Sequence, residues 1–172
     1  QQMINGQNVW SFVANKLFPM NRYSVKLTGV SDKGVQKSET AVYNFLMPPE
    51  AISGLQVIDS GSDYLHIIWE NLNQLKNPSY RVIYKSHQGG SPEAENTSDK
   101  NLVLKGLVAG RDYDISVSAI SPRNNPSQAP LKSIPTTITA STAIPKPSKI
   151  DFVERGQSEL EVTWHPRHGF KR

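Results

Sequence analysis

The chain holds four histidines, His66, His87, His165 and His168, and no cysteine. Thiolate nucleophiles, thiolate metal sites and disulfide frameworks are therefore excluded. His165 and His168 lie close enough in sequence to share an ion, but no carboxylate or third ligand stands beside them, so metal binding is not expected. Asp112 and Asp114 are two residues apart, and a pair of carboxylates on one strand face is the raw material of acid–base catalysis. The alternation that brings them together also turns them away from the apolar side of their strand, so a solvated outer face is expected. Glu70 closes another apolar run in the same way. No Gly-x-Ser-x-Gly elbow, phosphate-cradling glycine loop or His-Glu-x-x-His helix occurs. These residues are expected to be non-catalytic and to carry no cofactor and no metal.

Two other features concern modification and partners. Asn96-Thr97-Ser98 is an acceptor sequon for N-glycosylation, whereas Asn77-Pro78-Ser79 is blocked by its proline. Asn96 falls in the polar stretch 93–100, read as a connection between strands, where a bulky glycan is tolerated. The candidate partner loop runs from Ser121 to Pro130, with Pro122, Arg123, Asn124 and Asn125 at its centre and prolines restricting its shape. The basic tail, residues 167–172, reads as the loop following a strand.

Charge does not point to nucleic acid. The net +4 divides into five Lys/Arg against two Asp/Glu in residues 1–46, eight against nine in 47–139, and six against four in 140–172. The middle is nearly neutral, and no cluster of basic side chains with stacking aromatics appears. At 172 residues, 37% hydrophobic and 20% charged, with mean hydropathy −0.48, the composition is that of a folded chain. No run of about eighteen apolar residues occurs, so no membrane helix is expected within it; membrane attachment would come only through other parts of a parent protein.

The elements that must position these residues read as strands. Leu65, Ile67 and Trp69 alternate with His66, Ile68 and Glu70; Tyr80, Val82 and Tyr84 alternate with Arg81, Ile83 and Lys85; Tyr113, Ile115, Val117 and Ala119 alternate with polar residues. Period two is the mark of a half-buried strand, and turn-rich intervals such as 59–63, 71–78 and 88–92 separate the runs. Nothing shows helical periodicity. The phrase Leu107-x-x-Gly110-x-x-Tyr113-x-Ile115-x-Val117 is echoed ninety residues earlier by Leu17, Tyr23, Val25 and Leu27. Leu65-x-Ile67-x-Trp69 returns ninety-five residues later as Leu160-x-Val162-x-Trp164. Such a period means a string of similar modules, divided here into 1–46, 48–139 and 145–172, with proline-marked junctions at Pro48-Pro49 and Pro145-Lys146-Pro147. The chain is expected to begin and end within modules, leaving apolar faces at both ends.

In order and spacing these residues resemble the fibronectin type III family: a proline-led first strand at Pro49, Trp69 on the second, Tyr80-x-Val82-x-Tyr84 on the third, then Leu107, Gly110 and Tyr113. The resemblance implies an all-β fold of immunoglobulin-like seven-strand sandwiches in tandem, one complete and two partial. In the complete module Trp69, Tyr80, Val82 and Leu107 would be core. Tyr113 would be a tyrosine corner, with Tyr23 as its counterpart in the first segment, and Trp164 would be the core counterpart of Trp69 in the last. Gly110-Arg111-Asp112 permutes the Arg-Gly-Asp tripeptide by which some family members bind integrins; its order and its position in the corner turn exclude that use. The family implies spacer and protein-recognition modules, acting through loops and sheet edges, in an extracellular cell-surface receptor or adhesion protein. An intracellular spacer array of the giant muscle-protein type, and accessory modules of a secreted enzyme, are the alternatives.

Overall fold

The computed structural model describes residues 2–4, 7–9, 11–31, 34, 37–71, 79–121 and 127–165, and every regular element among them is a β-strand. Four short strands lie in the first segment: β1 (Gln2–Ile4) pairs with β2 (Gln7–Val9), and β3 (Arg22–Leu27) with β4 (Ala41–Leu46). The middle segment follows with β5 (Ser53–Ser60), β6 (Tyr64–Glu70), β7 (Ser79–Ser86), β8 (Glu93–Thr97), β9 (Asn101–Lys105), β10 (Asp112–Ser121), β11 (Leu131–Lys132) and β12 (Thr136–Ser141). A last hairpin joins β13 (Lys149–Glu154) to β14 (Leu160–His165).

In the middle segment one sheet has the order β5-β6-β9, and the other runs β8-β7-β10 with β11 and β12 both on the far side of β10. All pairings are antiparallel. Each sheet turns one face inward. Leu65, Ile67 and Trp69 from β6 meet Tyr80, Val82 and Tyr84 from β7 and Tyr113, Ile115, Val117 and Ala119 from β10, with Leu104 and Leu107 closing the core. This is the two-layer solution for sheets with one apolar face each. Trp69 is 3% exposed, and its ring stands edge-on to Tyr80 with centroids 5.3 Å apart. Its indole N–H has no hydrogen-bond partner among the described residues, so its hold on the core comes from area and packing alone.

Hydrogen bonds close the layers where side chains do not. Thr136 donates to the Ile52 carbonyl at 2.8 Å, and the Ala143 amide donates to Gly61 O at 2.9 Å, so both ends of β12 are tied to the opposite sheet. Between β11 and β12 the ladder along β10 would fail at Pro135, which has no N–H. Ser133 bridges the gap: its amide donates to the Ala119 carbonyl and its hydroxyl accepts from the Ala119 amide, both at 2.9 Å.

Below β10 the Val108 amide donates to the Tyr113 hydroxyl at 2.9 Å. Gly110 takes φ 65°, a left-handed turn that suits glycine. The Phe18 amide makes the same bond to Tyr23 at 2.8 Å, over the same five-residue interval, and Tyr23 stacks on Phe45 at 5.9 Å.

Three sequence expectations are corrected. The polar stretch 93–100 is not a simple connection: Glu93–Thr97 is strand β8, because pairing with β7 satisfies its backbone groups despite poor strand propensity. The central fold also runs past residue 139, since β12 continues to Ser141 and Thr142 is buried. Trp164 is not a core residue. It is 62% exposed, because β13 and β14 form a single layer with no second sheet over them among the described residues, and Ile150, Phe152 and Val162 are exposed with it.

Replacing Trp69 with Ala empties the contact between the sheets and is expected to cost about 3–5 kcal/mol in denaturant unfolding; an unchanged midpoint would remove Trp69 from the core. Tyr113→Phe keeps the ring and loses only the corner bond, so a loss of about 1 kcal/mol is expected. No measurable loss would mean that the ring, not the hydroxyl, holds the turn.

Candidate functional site

The residues that could do chemistry collect on the outer face of the β7-β10-β12 sheet. Asp112 and Asp114 point there from β10, each opposite a hydroxyl residue of β12 in the ladder: Asp112 against Ser141, Asp114 against Thr139. Thr139 donates to Asp114 Oδ1 at 2.7 Å, and Ser141 to Asp112 Oδ1 at 2.5 Å. His87, immediately after β7, sets its Nε2 2.8 Å from the same Asp114 oxygen, and its amide donates to the Asp112 carbonyl at 2.9 Å. The Thr139 hydroxyl and then the imidazole hold the Asp114 carboxyl below its usual range. The carboxylate in turn raises the His87 imidazole above its own.

This constellation has the ingredients of a triad but not its order. A nucleophilic hydroxyl must donate to the imidazole, which a carboxylate orients from the other side. Here the hydroxyl and the imidazole both address one carboxylate oxygen, so no base faces the hydroxyl. The geometry ties three strand ends together across an exposed face. His66 lies half-buried on β6, His165 ends β14, and His168 lies outside the described residues. Among the described residues no group of three His, Asp or Glu is arranged to hold a metal ion.

A second polar cluster lies at the β8 edge. Glu93 and Glu95 sit opposite Tyr84 and Val82 in the β7–β8 ladder and so turn toward the inside of the sandwich. The buried Tyr84 hydroxyl lies 2.9 Å from Glu93 Oε2 and 3.3 Å from Glu95 Oε1. Burial first, and then the two carboxylates, push the phenol well above its ordinary pKa. The phenol therefore keeps its proton and serves as the donor that lets two acids face inward. A shallow cleft of about 330 Å³ opens beside it, bordered by Gly89, Gly90, Ser91 and Arg111.

The remaining sites are placed as follows. Trp69, Tyr80, Val82, Leu107 and Tyr113 are buried, while Tyr23 is half-buried. Asn96 is exposed on β8. Pro122, Arg123, Asn124 and Asn125 lie outside the described residues; the flanking Ser121 is buried at the end of β10, and Ser127 to Pro130 are exposed. Gly110-Arg111-Asp112 is engaged in the corner. The Arg111 amide donates to the Thr142 hydroxyl at 3.1 Å, and the Thr142 amide donates to Arg111 O at 3.0 Å. Thr142 also donates from its hydroxyl to Val108 O at 2.7 Å, so one threonine clasps both sides of the tyrosine corner. Neither Thr142 nor Ser133 stands out in the sequence. The only available signal is a hydroxyl residue just beyond a strand end, which is common.

The model of the fibronectin type III domain matches residues 48–134. Tenascin of Gallus gallus is 30% identical over 155 residues, covering 89% of this chain and 8% of that protein. The human receptor-type tyrosine-protein phosphatase eta is 23% identical over 108 residues, 63% of this chain and 8% of the phosphatase. The chain thus spans less than a tenth of the length of these relatives. Among solved structures, a two-domain fibronectin type III segment from chicken tenascin superposes with a TM-score of 0.52 at 29% identity, covering 68% of this chain and 63% of that one. The chain belongs to the fibronectin type III family.

Proposed function

We propose that this chain provides non-catalytic spacer and protein-recognition modules within an extracellular protein of the matrix or cell surface. One observation carries the reading. Similarity to chicken tenascin extends over 155 residues, well beyond the central sandwich on both sides, which is what a string of modules gives and a lone domain does not. The phosphatase relative is of receptor type by its name, and it supports the same setting. In this reading residues 1–46 and 145–172 belong to neighbouring modules, whose apolar faces further strands would cover.

The local chemistry agrees with a scaffold role. The hydroxyl, carboxylate and imidazole groups that could react are held in hydrogen bonds that join strands. Recognition is then assigned to the candidate loop from Ser121 to Pro130, of which Ser127 to Pro130 are exposed, and to the sheet edges. Pro145 and Pro147 stiffen the chain just after Ala143 is tied to Gly61, so the exit from the sandwich is fixed in direction. A spacer works only if such junctions resist bending.

The setting is testable on the native protein in its own cells. A membrane-impermeant amine reagent should label exposed lysines such as Lys85 and Lys105 on intact cells or in the surrounding matrix. Labelling that appears only after permeabilisation would overturn the extracellular reading in favour of an intracellular spacer array.

A further inference from the structure

We infer that Asn96 carries an N-linked glycan, and that this glycan guards the open edge of the β8-β7-β10 sheet. For the native protein this rests on the extracellular setting proposed above. Three structural observations go beyond the sequon itself. First, among the described residues β8 is the outermost strand of its sheet, paired on one side only with β7. Its other side presents unpaired backbone groups, the template for adding a foreign strand.

Second, the faces of β8 are divided. Glu95 and Thr97 turn inward and are half-buried, whereas Ala94 and Asn96 turn outward and are exposed. The Asn96 carboxamide makes no hydrogen bond with any described residue, so attaching a sugar to its nitrogen breaks no contact. Third, the strand ends directly after the acceptor. The Asp99 amide donates to the Thr97 hydroxyl at 3.0 Å, turning the chain, and Ser98, whose hydroxyl completes the sequon, is exposed in that turn. A glycan at Asn96 projects from the rim, where it clashes with nothing in the sandwich and sweeps the space an incoming strand would occupy.

β8 also carries another defence against pairing, its inward-facing Glu93 and Glu95. Inward charges are a recognised protection of sheet edges; here Glu95 is half-buried and Glu93 exposed, and the Tyr84 hydroxyl, with one proton to give, lies within reach of both. The glycan adds bulk and hydration on the opposite face. Partner contacts are thereby directed away from β8, toward the segment 121–130 and the β12 edge.

The test uses the whole 172-residue chain secreted from mammalian cells behind an added leader. The added leader places the sequon in the glycosylating compartment wherever the parent resides, so this experiment and the labelling of the native protein fail independently. A single glycosidase-sensitive mass step is expected, removed without denaturant, and absent from both Asn96→Gln and Ser98→Ala. A chain secreted without that step, or a step that persists in Asn96→Gln, overturns the site. For the guarding role, sedimentation compares the glycosylated chain with secreted Asn96→Gln. Both carry the same exposed hairpins, so stronger self-association of Asn96→Gln reports the uncovered β8 edge, and equal association overturns that role.

Discussion

Everything in the central fold depends on the contact of Trp69 with Tyr80, where a strand of one sheet meets a strand of the other. Neither sheet can stand alone. The β5-β6-β9 sheet has three strands, and its inner face is a row of large apolar side chains that water disfavours. Packing against β7 and β10 removes both faces from water together. A large aromatic spans the gap better than aliphatic residues because it reaches across the mid-plane from a single backbone position. The core is then completed by residues that arrive in the right place only because strict alternation puts them there.

Burial alone leaves the layers free to slide, and the polar interactions remove that freedom. Thr136 to Ile52 O and Ala143 to Gly61 O anchor β12 across the sandwich at two points. Thr142 and Tyr113 fix the turn that feeds β10. Each of these bonds joins residues distant in sequence or closes a tight turn, and each involves a backbone group that would otherwise be unpaired on folding. The same logic covers the outer face, where Thr139, Ser141 and His87 satisfy the two aspartates. Surface pairs of this kind add little stability individually, but they set the register of β12 against β10 and keep the charged face ordered.

How much of this was legible in the sequence follows from the range of the interactions involved. The strands of the core were legible because alternation is local: Tyr113, Ile115 and Val117 declare an inward face without reference to any partner. The family marks were legible for a related reason, since a tryptophan and a corner tyrosine at a fixed interval have few other uses. β8 was not legible, because Glu93 to Thr97 has the composition of a loop and becomes a strand only when β7 offers it a ladder and Tyr84 offers its acids a donor. Thr142 was hidden in the same way, its partners Val108 and Arg111 lying more than thirty residues upstream. Trp164 shows the converse: its local pattern is that of Trp69, yet it is exposed. A pattern states which face is apolar, and only the presence of a second sheet makes that face a core.

The same distinction bears on where function can reside in such a fold. Positions fixed by the core, by the corner and by the β12 ties cannot vary without cost. Positions that face water without a partner carry no such constraint and are free to differ between modules of one fold. Among the described residues of the central sandwich, Asn96 on the rim of β8 is such a position. A β-edge is the most dangerous of such places, because its unpaired amides and carbonyls bind any extended chain with little regard for sequence. A module repeated along an array multiplies that hazard. Specific recognition by loops is therefore possible only after the edges have been made unattractive, and the inward-facing glutamates of β8, with Tyr84 holding them, are the physical means by which this sandwich begins to do so.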